Sequence, residues 1–131
     1  MQIKFASVTV HDQDQALAFY TGMLGFQKCA DIPMGGSYRW LTVTSPDGMA
    51  GVELVLEPAA FPPAQVYRKA LFDAGIPATA FTTTDIAAEV LRLRERGVVV
   101  RGEPQAMGPI TAVLFEDGCG NLINLVQPQA A

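Results

Sequence analysis

Hydrophobic and polar positions change period several times along this chain, and the changes mark its elements. From Ile3 to Val10 they alternate, with Phe5, Ser7 and Thr9 on one side and Ala6, Val8 and Val10 on the other, which predicts a strand. Asp12 stands where a helix cap is needed, and Ala16, Leu17, Tyr20 and Leu24 recur at helical spacing over 13–24, with Gly25 as the stop. Strands follow over 26–32, 38–44 and 51–57, separated by the turn signals Pro33-Met34-Gly35-Gly36 and Ser45-Pro46-Asp47-Gly48. A connecting helix over 61–74 is expected to bury Val66, Ala70 and Leu71.

The pattern then starts again. A strand over 78–83 leads to Asp85 as cap and a helix over 86–96 that ends at Gly97. A strand over 98–101, a loop over 104–108 and strands over 110–115 and 121–126 complete the second half. Asp12 and Asp85 lie 73 residues apart, as do Met34-Gly35 and Met107-Gly108. Asp47-Gly48 and Asp117-Gly118 differ by 70, and so do Glu57-Pro58 and Gln127-Pro128. A nearly constant offset through caps, loops and turns signals an internal duplication of a βαβββ module. Modules are expected at about 1–58 and 76–128, joined by a helix at about 61–75 in one domain spanning 1–131. Half a chain of this length buries its apolar faces poorly alone, so the α+β expectation is two modules sharing a half-open barrel with a concave inner face, the natural place for a ligand.

Composition narrows the chemistry. Half of the 131 residues are hydrophobic and 17% charged, a globular balance. Nine basic against thirteen acidic residues leave a formal charge of −4, with no basic stripe for nucleic acid or an anionic membrane surface. No apolar run approaches the ~20 residues of a membrane span. No secretory signal precedes the first strand, and Cys29 and Cys119 are too few for a disulfide framework, so a cytoplasmic protein is expected. A single histidine, His11, excludes metal sites built on several histidines. It is expected at the rim of the first strand, beside the cap.

With these elements in place, the chain resembles the vicinal oxygen chelate superfamily, the glyoxalase, bleomycin resistance and dioxygenase group. The resemblance rests on the paired modules, on Asp12 with Ala18-Phe19-Tyr20 and Leu24-Gly25-Phe26, and on the closing turn Asp117-Gly118-Cys119-Gly120-Asn121. It implies a homodimer. In members that use a metal it also implies two histidines and two carboxylates on the inner face. Matched position by position, those places hold Phe5, Glu53, Ala78 and Asn124. One carboxylate with one amide is a poor donor set for Zn²⁺ or Fe²⁺, so no metal and no cofactor are expected, and the metal-dependent activities do not carry over.

Taking those four positions as inward sets the parity of their strands. Phe5, Ser7 and Thr9, then Glu53 and Val55, face inward in the first half; Ala78, Ala80 and Thr82, then Leu122, Asn124 and Val126, in the second. A wall of small and aromatic residues with a few polar groups suits an aromatic or amphipathic small molecule. Trp40, or its neighbour Arg39, completes the wall, and Met34 and Met107 flank it from matching hairpins. Two functions are compatible with this lining. One is binding of such a molecule without metal. The other is a metal-independent isomerase or lyase acting next to a carbonyl, with Glu53 as general base, its pKa raised by an apolar wall, and Ser7 or Asn124 polarising the oxygen. Glu53 paired to Arg39 or Arg101 would instead be structural.

Overall fold

The computed structural model describes residues 1–129. Its elements are β1 (Phe5–Val10), α1 (Gln13–Gly22), β2 (Gln27–Pro33), β3 (Arg39–Thr44), β4 (Glu53–Pro58), α2 (Pro62–Asp73), β5 (Thr79–Thr82), α3 (Ile86–Glu95), β6 (Val100–Met107), β7 (Ile110–Glu116) and β8 (Leu122–Pro128). The chain divides into two units, one up to Tyr67 and one from Arg68 onward. Each is a βαβββ module with a four-stranded mixed sheet, ordered β1-β4-β3-β2 in the first and β5-β8-β7-β6 in the second. In both, the first strand pairs parallel to the last and the remaining pairs are antiparallel. The duplication read from the offsets is therefore a duplication of topology.

Both helix caps lie where the sequence puts them. Asp12 accepts the Gln15 amide at 2.9 Å and Asp85 the Ala88 amide at 3.0 Å, satisfying donors that the first helical turn leaves free. Gly25 and Gly97, past the helix ends, take φ of +75° and +83°, where a side chain would be strained. In the first module α1 packs on β2, β3 and β4. Val8, Val10, Leu41, Val43 and Leu56 are buried on that side of the sheet, together with Ala16 and Tyr20 of the helix. In the second, α3 brings Ile86, Val90 and Leu93 to a core that includes Val113, Phe115, Ile123 and Leu125. Each Val, Leu, Ile or Phe among them contributes about 1.5–3 kcal/mol on burial.

Two expectations change. The stretch 98–108 does not end as a strand at Arg101; β6 runs on to Met107 with its register shifted between Arg101 and Gln105. Gly102, at φ +82°, and Pro104, with no amide to donate, interrupt the ladder without ending it. In α2, no side chain is fully buried, and Val66 is 72% exposed. The second module holds the end of this helix by long side chains instead of an apolar stripe. Arg68 donates to the Cys119 carbonyl, and Phe72 lies beneath the Arg101 guanidinium at 5.0 Å. Among the described residues, no helix is long and apolar enough to cross a membrane.

Candidate functional site

In the first module the register decides which side chains share a face. Phe5 pairs with Glu53, Ser7 with Val55 and Thr9 with Glu57, while Val55 also pairs with Thr42 across the sheet. These side chains lie on the face turned away from α1. Trp40, two residues before Thr42, joins them and meets Phe5 edge-on, with ring centroids 5.3 Å apart and planes at 81°. The two rings come from β1 and β3 and meet across the intervening β4, where Val55 is only 2% exposed. Phe5 itself is 45% exposed, so the pair presents an aromatic surface.

Arg39 lies on the opposite face. Its guanidinium pairs with Asp14 of α1 and, at 2.9 Å, with Asp31, and its backbone is clamped by Gln13. Strand alternation thus assigns Trp40, and not Arg39, to the Glu53 face. Gln13 is the buried polar residue behind this arrangement. Its side-chain amide donates to the carbonyls of Arg39 at 2.7 Å and Leu56 at 2.9 Å and accepts the Arg39 amide at 3.2 Å. It thereby ties the start of β3 to the end of β4 from the helix side.

Glu53 is buried and fully engaged. Thr42 donates its hydroxyl to Oε1 at 2.6 Å, Lys4 Nζ lies 3.1 Å from Oε2, and the Cys29 thiol faces the carboxylate. The Thr42, Lys4 and Cys29 hydrogen bonds hold the carboxyl below the usual glutamate value and outweigh desolvation. The direction is opposite to that expected of a base beside an apolar wall. The cation is Lys4, not Arg39 or Arg101, because Arg101 is occupied by Glu116 at 3.1 Å.

Lys4, Cys29 and Thr42 belong to this cluster although periodicity does not single them out. A bulge between Lys28 and Ala30 makes Cys29 the extra residue of β2 and turns its thiol to Glu53, while the Ala30 amide donates to the Thr42 hydroxyl at 3.1 Å. The cost falls on Cys29. Though exposed, its thiol is pushed up, first by the hydrogen bond to Glu53 and then by burial and the carboxylate's charge. Glu57, four residues past Glu53 on the same face, accepts the Ser7 hydroxyl at 3.1 Å. Strand alternation reaches Glu57 as well, but the expected inward set stopped at Val55.

Met34 and Tyr38 close the β2–β3 hairpin through a 3.0 Å backbone bond, and Met34 is 56% exposed. His11 is exposed at the junction of β1 and α1. In the second module, Ala78 donates its amide to Leu122, and Ala80 pairs with Asn124, which in turn pairs with Leu114. Ala78 is exposed and Asn124 half-buried. Met107, the repeat mate of Met34, is 59% exposed at the β6–β7 turn. Among the described residues no three His, Cys, Asp or Glu side chains are grouped as metal ligands would be.

Comparison with known proteins matches this architecture. A family model described as the Glyoxalase/Bleomycin resistance protein/Dioxygenase superfamily matches residues 2–125. The uncharacterized protein YurT of Bacillus subtilis (strain 168) is 50% identical over 127 residues, covering 97% of this chain and 99% of that protein. The crystal structure of UcmS2 superposes with a TM-score of 0.81 at 30% identity, over 96% of this chain and 97% of the other. That of TnmS3, described as an antibiotic binding protein from Streptomyces sp. CB03234, gives 0.76 at 34% identity over 98% and 97%. A duplicated βαβββ topology, a family model over nearly the whole length and a relative sharing half its residues give one result: this chain belongs to the glyoxalase/bleomycin resistance protein/dioxygenase superfamily.

Proposed function

We propose that this protein binds a small aromatic or amphipathic molecule without metal, on the face of the first module that carries Phe5, Trp40 and Glu53. The observation behind this reading is the edge-on Phe5–Trp40 pair, exposed beside a carboxylate whose oxygens are already taken. An aromatic surface with few polar groups offers stacking area and orientation, the two things such a ligand requires. Ser7 and Met34 of the same module are proposed to complete the contacts. TnmS3, 34% identical to this chain, is described as an antibiotic binding protein, which supports retention of an organic molecule as the function.

The donor set does not fit the metal that other members of the superfamily use. In the first module Phe5 stands beside Glu53, and Glu53 already has Lys4 and Thr42 on its oxygens. In the second, Ala78 has no donor and Asn124 offers only an amide. A transition-metal site needs several N, S or anionic O donors together. We likewise give Glu53 no role as general base, because a carboxylate held below its usual pKa and engaged by Thr42 and Lys4 is a weak proton acceptor at neutral pH. We expect the protein to act as a homodimer in the reducing cytoplasm, with β1 and β5, which are sheet edges within their modules, among the surfaces available for pairing.

Calorimetric titration of EDTA-treated protein with a panel of planar aromatic compounds tests the reading. Saturable binding is expected, weakened about tenfold or more by Trp40→Ala or Phe5→Ala, as loss of a stacking ring implies. If no compound binds, or if both variants bind like the wild type, the reading is wrong.

A further inference from the structure

The geometry points to a ligand that carries a cationic nitrogen on its aromatic framework, with Glu57 as the counter-ion; this rests on the binding reading above and specifies its substrate class. Glu53 and Glu57 lie four residues apart on β4 and share the face turned away from α1. Their surroundings differ. Glu53 is offset by Lys4 and bonded by Thr42. Glu57 has the Ser7 hydroxyl, at 3.1 Å, on Oε1, and among the described residues no Lys or Arg nitrogen lies within salt-bridge distance of it. The module's remaining cations are committed on the other side of the sheet, Arg39 to Asp14 and Asp31, and Lys28 to Asp31 at 4.0 Å. Glu57 is therefore the uncompensated charge of this face, and it is half-buried, where an ion pair is less screened than in open water.

It shares its face with the aromatic pair. Thr42 pairs with Val55, so Trp40, two residues before Thr42, and Glu57, two residues after Val55, lie on the same side of the sheet. A cation bound on this face is offered a carboxylate and aromatic π surface, both of which favour positive charge. An uncharged aromatic gains only the stacking, and an anionic one meets repulsion. Ser7 fixes one carboxylate oxygen and leaves the other for the ligand.

Three acridines of similar shape separate charge from stacking at pH 7.5: 9-aminoacridine as cation, acridine as neutral ring and acridine-9-carboxylate as anion. Their dissociation constants are read from quenching of Trp40, the protein's one tryptophan. The cation is expected to bind about tenfold or more tightly than acridine, and the anion more weakly than either. Glu57→Gln is expected to bring the cation to within about twofold of acridine measured on the same variant, with an unchanged far-UV circular dichroism spectrum reporting an intact fold. If acridine and 9-aminoacridine bind the wild type equally, charge selection is wrong and aromatic binding stands. If the cation's advantage survives in Glu57→Gln, Glu57 is not the counter-ion. If none of the three binds, both the selection and the binding reading fall.

Discussion

Thr42 donates its hydroxyl to Glu53 Oε1 at 2.6 Å, and its Oγ1 accepts the Ala30 amide at 3.1 Å. One fully buried hydroxyl thus joins β2, β3 and β4 and fills a carboxylate lone pair. Thr42→Val keeps the shape and removes both bonds, leaving a buried carboxylate oxygen and an amide short of a partner. A loss of about 2–3 kcal/mol is expected in urea unfolding at pH 7. A loss below about 0.5 kcal/mol would show that water or a rearranged Lys4 replaces the hydroxyl.

The pH dependence follows from the sign of the Glu53 shift. Its folded pKa is depressed, chiefly by Thr42, then Lys4 and Cys29, so the ionised form is the one the fold favours. The resulting stability is fully present above the ordinary glutamate value of 4.5 and is lost as pH falls through the lower folded value. Glu53→Gln is therefore expected to be less stable than wild type at pH 7, with the gap closing below about pH 4. Paired urea curves from pH 7 to pH 3 measure it. A gap that widened toward low pH would reverse the assigned direction.

Cys29 should be accessible yet slow to react. Glu53 pushes its thiol pKa up, and the thiolate is the reactive form. Alkylation by iodoacetamide at pH 8, followed by mass spectrometry, is expected to be slower at Cys29 than at free cysteine. Glu53→Gln is expected to speed it several-fold, since each unit of pKa changes the thiolate fraction about tenfold. Equal rates in the two proteins would separate the thiol from the carboxylate. Cys119, buried, should stay unmodified in both while folded.

Gln13 carries a structural prediction. Its three hydrogen bonds satisfy backbone groups of Arg39 and Leu56 under α1. Gln13→Leu fills the space without the bonds and is expected to cost about 2–3 kcal/mol in urea unfolding. It should also disturb Trp40, the next residue along β3, visibly in the fluorescence spectrum. A variant of wild-type stability would mean that the strand ends are held by something else.

Much of this architecture is legible in the sequence because period and capping are local signals. Asp12 and Asp85 announce their helices, and alternation alone groups Phe5 and Ser7 on one face and Glu53 and Val55 on another, which the register brings together. The chemistry around Glu53 is not local. Lys4 reaches it from ahead of β1, Thr42 from the neighbouring strand, and Cys29 through a bulge that breaks strict alternation. A bulge leaves no reliable mark in the pattern, and neither does the choice between Arg39 and Trp40, since alternation fixes relative but not absolute sidedness. The register with β4 and the Asp14 and Asp31 pairs settle it. The exposure of Val66 escapes for a similar reason: helical spacing shows that an apolar stripe exists, but not whether anything covers it.

If an aromatic molecule is held at Phe5 and Trp40 with no metal taking part, quenching of Trp40 by 9-aminoacridine should be the same in EDTA and with added Zn²⁺, Mn²⁺ or Fe²⁺. One saturating curve is expected, unchanged by chelator or metal and shifted to about tenfold or more weaker binding in Phe5→Ala. A curve that disappears in EDTA and returns with a stoichiometric divalent ion would show instead that a metal holds the ligand.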